Sequence, residues 1–342
     1  MARSPMTCQN ETPQTNDMSA FEAAVAARLD RRRARIVGRG TTALFVALRA
    51  IATRDGTGDA ILPDIICSTV LDGVLLAGFT PVFAEILPRR FTLDYGDVRR
   101  KITPRTRAVI AAHLFGHVEA IPPLGVPVIE DAVQGLGSDV VGRQGTLAFI
   151  SFDRTKMIGG RGGVVLTDDE TLPLHPIPLA VPTTSGEGRF ADYRHHLDVR
   201  RLLRPFDASP ANLERIGQGW SDLDQDVTQR NAKARYLYDR LADRPLQLPE
   251  LRAGDVIWRF SFAAPNRAIA SWILRRLQMA GLPGSSLYPP LSDLFAPDPG
   301  LTSGSLAHRM VNLWVDSSVD TCMLDRMITI VRSAPYSLST PR

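Results

Sequence analysis

The sequence predicts an α/β layer fold, and three observations carry that expectation. Between residues 34 and 168, short β-rich runs alternate with helical patterns. Several of those runs are apolar on both sides, as strands are when helices cover both faces of a sheet. A chain of 342 residues with 44% apolar composition can also bury a large core and divide into two domains.

The elements follow in chain order. Residues 1–19 are polar, lack the hydrophobic core of a signal peptide and read as a disordered tail. No later apolar run approaches the roughly 18 residues that cross a bilayer, so a cytoplasmic protein with no membrane partner is expected. The basic run Arg31-Arg32-Arg33-Ala34-Arg35 has no aromatic residues interleaved with it, which argues against nucleic acid and for the exposed end of a helix. Strands are expected at 35–38, 59–63, 81–84, 107–112, 126–130, 147–152 and 163–167. A helix is expected at 41–54, with Leu44, Leu48 and Ile51 on one face. From 171 to 209 the rhythm fades into a stretch rich in Pro, His and Arg. Beyond it come an amphipathic helix at 228–242, a strand at 258–263, a helix at 269–280 closed by Gly281, and a last helix at 318–332. This divides the chain into a large α/β domain over 20–225 and a smaller C-terminal α+β domain over 226–342.

Cys8, Cys67 and Cys322 are odd in number and far apart, so neither a disulfide framework nor a zinc site is indicated and a reducing compartment fits. His113 and His117 have the i, i+4 spacing of a helical metal pair, but Gly116 and the strand before them argue against a helix there.

Lys156 stands out because only three of the 40 lysines and arginines are lysines. Where a plain positive charge suffices this chain uses Arg, so a retained Lys points to chemistry that guanidinium cannot perform. A primary amine can attack a carbonyl and form a Schiff base, whereas Arg stays protonated. Gly38-Arg39-Gly40-Thr41-Thr42-Ala43 lies between a strand and a helix, where free N–H groups and two hydroxyls suit a phosphate or simply cap the helix. Val126-Pro127-Val128-Ile129-Glu130-Asp131 is a strand that ends in two acids, at the sheet edge where open α/β folds place their sites. Ser151 is a polar residue in an apolar run. An amine for an aldehyde, a carboxylate for a pyridinium nitrogen and a hydroxyl-rich helix start for a phosphate are what pyridoxal 5'-phosphate requires.

Six strings in this order resemble the DegT/DnrJ/EryC1/StrS aminotransferases. They are Gly40-Thr41-Thr42-Ala43-Leu44, Ala77-Gly78-Phe79-Thr80-Pro81-Val82-Phe83, Ile102-Thr103-Pro104-Arg105-Thr106, His113-Leu114-Phe115-Gly116, Val128-Ile129-Glu130-Asp131-Ala132-Val133-Gln134 and Ser151-Phe152 to Lys156. The resemblance implies a fold-type I transferase with a mostly parallel seven-stranded sheet, working as a homodimer on a keto-sugar, nucleotide-linked in most members, with glutamate or glutamine as donor. It implies that Lys156 forms the Schiff base and moves the proton, and that Asp131 holds the pyridine nitrogen. It places Gln134 beside the phenolic oxygen, and Gly40, Thr41, Thr42 and Ser151 on the phosphate. Cys67 falls where many members stack an aromatic on the cofactor ring. The Gly-Tyr-Asn-x-Arg-Met-like segment that reaches the partner's phosphate has no match, since neither Asp207-Ala208-Ser209-Pro210 nor Gly219-Trp220-Ser221 fits it.

Three other functions remain open at this level. A sugar dehydratase of the same family carries His at the lysine position, which Lys156 disfavours. An NAD-dependent oxidoreductase would use Gly38 to Ala43 with Asp64 as its ribose acid, but would leave Asp131, Gln134 and Lys156 without a task. A non-catalytic family member is the third.

Overall fold

The structure is a computed structural model that describes residues 18–174, 203–295 and 300–338. Most of the expected tail, Cys8, and the His195-His196 pair lie outside the described residues. Seven strands form one sheet: β1 (Arg33–Val37), β2 (Asp59–Pro63), β3 (Thr80–Ala84), β4 (Thr106–Ala112), β5 (Val128–Asp131), β6 (Leu147–Ser151) and β7 (Gly163–Thr167). Their spatial order is β1-β7-β6-β5-β4-β2-β3. Every neighbouring pair is parallel except the two made by β7, which runs against both β1 and β6.

Alternation along the strands explains why their sequences are apolar throughout. Ala60, Leu62, Ala108 and Ile110 enter the main core, while Ile61, Val109 and Ala111 enter a smaller one. Both faces are therefore buried. Helix α1 (Met18–Arg28) precedes β1, and α2 (Gly40–Asp55) packs on the main core side. The stripe expected for α2 widens in the structure, because Phe45, Val46, Ala47 and Ala50 are buried as well as Leu44, Leu48 and Ile51. Helix α3 (Ser68–Leu76) joins α2 on the main core, and α4 (Tyr95–Lys101) places Val98 in the smaller core on the other face.

The basic run is not an exposed helix end. Helix α1 stops at Arg28, and Arg31 is only 9% exposed, with Nε and Nη2 donating to the carbonyls of Gly142 and Gly145 and Nη1 paired with Asp168 at 2.8 Å. These guanidinium bonds tie the entry to β1 to the loop after β5, and Arg33 and Arg35 are part of β1 itself.

Helix α5 (Pro210–Leu241) is 32 residues long, so the helix expected at 228–242 is only its second half. Gly217, Gly219 and a polar first half hide the period there. Ile216 and Leu223 join the main core, and Ala234, Leu237 and Leu241 join a second core around a three-stranded antiparallel sheet in the order β8-β10-β9. That sheet comprises β8 (Arg259–Ala263), β9 (Gly284–Ser285) and β10 (Met310–Trp314), of which the sequence pattern revealed the first. Helix α6 (Arg267–Met279) is capped by Asn266, and Gly281, at φ +66°, closes it as its position suggests. Two short helices, α7 (Leu291–Phe295) and α8 (Ser303–Ala307), precede β10. Helix α9 (Thr321–Arg332) begins three residues later than 318, because Asp320 caps it by accepting from the Met323 N–H at 2.7 Å.

The two regions are joined by Arg90, which is 3% exposed and lies between β3 and α4. Its fork holds Asp255 through two bonds of 2.8 and 2.9 Å, its Nε meets Glu119 at 2.8 Å, and two backbone carbonyls take the remaining donors. Asp255 is equally buried, and burial would raise its carboxyl pKa, but its bonds with His117 and Arg90 outweigh this and hold it well below the usual range. Replacing Arg90 by Met leaves that anion buried without its cation. We predict a stability loss of about 3–5 kcal/mol in urea unfolding. A loss below about 1 kcal/mol would mean that the pair behaves like an exposed bridge.

Candidate active site

A cavity of about 700 Å³ opens where the carboxyl ends of β5 and β6 meet the start of α2. Open α/β sheets place their ligands at this edge. Gly40, Thr41, Cys67, Asp131, Gln134, Ser151 and Lys156 all line it. Thr42 does not: it is fully buried, and its hydroxyl accepts from the Arg204 N–H at 3.2 Å.

The two acids at the end of β5 have separate tasks because consecutive strand residues point to opposite faces. Glu130, 0% exposed, accepts from the N–H groups of Gly142, Gln144 and Gly145 and meets His113 Nε2 at 2.9 Å. Burial would raise its pKa, but these bonds outweigh burial and hold the carboxyl below its ordinary value. Asp131 faces the cavity instead. One of its oxygens accepts from the Val133 N–H at 3.1 Å, and the other has no donor among the described residues. Burial pushes its pKa up to about 6, against the pull of that N–H and of Lys156.

Helix α2 begins at the cavity without a side-chain cap from Arg39, so its first N–H groups are available to a ligand. Gly40 fits there because it has no side chain. A Cβ at this position would lie 2.7 Å from that of Ser151, so the glycine lets the helix start and the end of β6 approach side by side.

Lys156 sits on the loop between β6 and β7 and lines two cavities, this one and a second of about 720 Å³. Its Nζ stands 4.6 Å from the ring centre of Trp258, a cation–π contact. Trp258 is 3% exposed and held from both ends. Its indole N–H donates to the Thr155 carbonyl at 2.8 Å, and its backbone N–H donates to Phe115. The sequence showed Trp258 only as part of an alternating strand, and its place beside Lys156 depends on a contact between residues 102 apart in the chain.

Gln134 is fixed at both ends of its amide. Its Oε1 accepts from the Phe115 N–H at 2.7 Å, and its Nε2 donates to the Tyr288 hydroxyl at 3.1 Å, leaving one amide hydrogen for the cavity. Tyr288 is buried and stacks on Phe115, so it is a packed residue that orients Gln134. The Cys67 sulfur lies 3.2 Å from the Thr69 hydroxyl. His113 and His117 face different partners, Glu130 and Asp255. Asp64, the acid that a nicotinamide cofactor would need, is 0% exposed and accepts from the N–H and hydroxyl of Ser292 and from the Ser303 hydroxyl. It is not available to a ribose.

The raised pKa of Asp131 makes a pH-dependent expectation for the cofactor-free protein. As pH climbs from 3.8 to about 6 the unfolded chain releases this proton before the folded chain does, so the folded state loses relative stability. The loss is complete above about 6 and is on the order of 3 kcal/mol. Asp131→Asn removes it. In urea melts the variant should match the wild type near pH 4, exceed it increasingly up to about pH 6 and keep that margin at higher pH, and a pH-independent difference would contradict the assignment.

The family model described as the DegT/DnrJ/EryC1/StrS aminotransferase family matches residues 7–332. The UDP-N-acetyl-3-dehydro-alpha-D-glucosamine 3-aminotransferase of Acidithiobacillus ferrooxidans is 32% identical over 63% of this chain and 59% of its own length. The chain thus spans less than two thirds of that relative. The erythromycin biosynthesis sensory transduction protein EryC1 of Saccharopolyspora erythraea is 30% identical over 92% of this chain and 89% of its own. Among solved structures, NtdA from Bacillus subtilis with bound cofactor PMP superposes with a TM-score of 0.72 at 22% identity, covering 92% of this chain and 76% of the other. The chain belongs to the DegT/DnrJ/EryC1/StrS aminotransferase family, whose enzymes depend on pyridoxal phosphate.

Proposed function

We propose that the protein is a pyridoxal 5'-phosphate-dependent aminotransferase that moves an amino group from glutamate or glutamine to a keto-sugar, in nucleotide-linked form. The observation that carries this reading is a single cavity holding the Lys156 amine, the buried carboxylate of Asp131 and the uncapped start of α2. The relatives' names support the keto-sugar, since one of them is an aminotransferase for a 3-dehydro sugar carried on UDP. The resemblance in sequence supports a homodimer, and the scattered cysteines support a reducing cytoplasm.

The residues fit the cofactor on structural grounds. Asp131 is a carboxylate that burial makes costly to ionise and that lacks a donor on one oxygen among the described residues, so a ring N–H⁺ would offset that cost. The Gly40 and Thr41 N–H groups and the Ser151 hydroxyl would hold a phosphate, and the remaining amide hydrogen of Gln134 a phenolic oxygen. Pyridoxal phosphate, when bound, supplies an aldehyde for the Lys156 amine and a protonated ring that delocalises the electron pair of a deprotonated carbon.

The chain supplies the rest. Asp131 keeps the proton on the ring nitrogen. The Lys156 amine, once free, would take the proton from the donor's nitrogen-bearing carbon and give it up to the carbon on the other side of that nitrogen. The Trp258 ring would stand beside this amine, its centre 4.6 Å from it. Cys67 offers a polarizable but small surface for the ring face.

The purified protein should take up pyridoxal phosphate with a visible absorbance that borohydride abolishes and fixes covalently at Lys156. Lys156→Ala should lack the band and lose at least about 10³-fold in transamination rate. A wild-type protein that binds NAD and never takes up pyridoxal phosphate would overturn the reading. A panel of keto-sugar nucleotides with glutamate or glutamine would identify the acceptor.

A further inference from the structure

The charges that line the first cavity are not spread evenly. Around the start of α2 stand three arginines, Arg39, Arg161 and Arg204, with one acid, Asp207, among them. Asp153 lines the cavity too, but its Oδ1 turns back to accept from the N–H and hydroxyl of Thr155 at 3.1 and 2.9 Å. Even with Asp207 set against Arg161, at 3.8 Å, two positive charges are in surplus among these lining residues. The positive end of the helix dipole adds to them.

Arg39 is the least expected of the three. It occupies the N-cap of α2 and makes no side-chain cap bond there. Ser, Thr, Asp and Asn are favoured at this position because their side chains accept from the first N–H groups. A guanidinium has no acceptor to offer, and a cation at this end opposes the dipole. The backbone around it is closely held. Gly38 donates its N–H to the Arg204 carbonyl at 2.8 Å, and a Cβ on Gly163 would lie 2.5 Å from the Arg39 carbonyl oxygen. Side chains are excluded on either side of Arg39, where a Cβ at 38 would meet the Pro205 carbonyl oxygen and one at 40 the Ser151 side chain. Between two positions that admit nothing, the chain places a long cation that lines the cavity.

A cation that destabilises the helix start by itself is accounted for by an anion that it meets in the cavity. The Gly40 and Thr41 N–H groups and the Ser151 hydroxyl are neutral donors, which orient phosphate oxygens without cancelling their charge. A phosphate monoester carries roughly −1.5 to −2 at neutral pH, the size of the surplus. Another wall shows independently that the cavity is built for a ligand: Asp131 is 8% exposed, and one of its oxygens has no donor among the described residues. Lys156 lines the same space, so one molecule with an aldehyde, a basic ring nitrogen and a phosphate would meet all three groups.

We infer that the Arg39 guanidinium binds the phosphate of the cofactor, with Arg161 and Arg204 adding to the field that holds it. This rests on the pyridoxal phosphate reading. It gives the phosphate a charged side-chain partner beside the neutral donors of α2 and β6.

The test compares pyridoxal 5'-phosphate with pyridoxal, which offers the same aldehyde and ring but no phosphate. Wild type, Arg39→Gln and Arg39→Lys, each as the full chain freed of cofactor, are titrated with both, and the visible band gives the half-saturating concentration. For pyridoxal phosphate it should rise about 10- to 100-fold in Arg39→Gln and less in Arg39→Lys, and the gap should narrow at high salt. For pyridoxal it should stay nearly unchanged. Thermal melts give a second readout. Without ligand Arg39→Gln should melt no lower than the wild type, because a cation has left the helix start, whereas inorganic phosphate should raise the midpoint of the wild type and not that of the variant.

Equal half-saturation by pyridoxal phosphate in wild type and Arg39→Gln overturns the inference and leaves the cofactor reading intact. A loss shared equally by pyridoxal also overturns it, because Arg39 would then act on the shape of the cleft. So does a variant that loses affinity for UDP and keeps that for pyridoxal phosphate, since the arginine would serve the acceptor. If the wild type never takes up pyridoxal phosphate but inorganic phosphate stabilises it through Arg39, the phosphate site stands and the cofactor reading falls. If neither binds, both fall.

Discussion

The carboxylate of Glu130 organises the cleft. It collects three backbone N–H groups from the loop that returns to β6 and a fourth bond from His113, and the carboxylate itself is closed to water. Charge-assisted bonds of this kind are about twice as strong as neutral ones, and removing their acceptor would leave the buried Gly142 and Gly145 N–H groups unmet. With Glu130 fixed on one face of β5, the pleat sends Asp131 to the other, into the cavity. One acid thus bears the structural load while its neighbour remains costly to ionise and ready for a cation. Two adjacent carboxylates with opposite pKa shifts are a common way to separate scaffold from chemistry.

A second fixed point lies where the turn after β4 meets the segment before β8. Gly116 has φ +91°, and a Cβ there would collide with the Val256 carbonyl oxygen. Val256 and Trp258 donate their N–H groups to the carbonyls of Gly116 and Phe115. Phe115 in turn donates to Gln134, so one turn sets both the amide beside the cofactor region and the indole beside Lys156. The Arg90–Asp255 fork closes the same junction a few residues away. The second sheet therefore bears on the chemistry through backbone contacts as well as through its own side chains.

Much of this was legible in the chain. The seven strands and the helix after Gly40 could be read because their hydrophobic periods are local, and the lysine, Asp131 and the glycine-rich helix start could be read because each carries chemistry in its own short string. What escaped reading is non-local. Trp258 looks like an ordinary strand residue until the fold brings it to Lys156. Thr42 looked equivalent to Thr41, yet one helical step turns it from the cavity to the Arg204 backbone. The basic run looked solvated because nothing in the sequence shows that carbonyls of Gly142 and Gly145 await its guanidinium. Strand β10 is short, and its pairing with β8 on one side and β9 on the other is what defines it.

Helix α5 has a bearing on how relatives of this chain could exchange parts. It runs about 48 Å without a break and inserts Ile216 and Leu223 into one core and Ala234, Leu237 and Leu241 into the other. A recombination junction placed between the two cores would cut a continuous hydrogen-bonded ladder and strip apolar side chains on both sides of the cut. A chimera that keeps the fold must inherit the helix whole, crossing over before Pro210 or after Leu241. In the first case the second sheet passes on together with α5, and Trp258 passes with it.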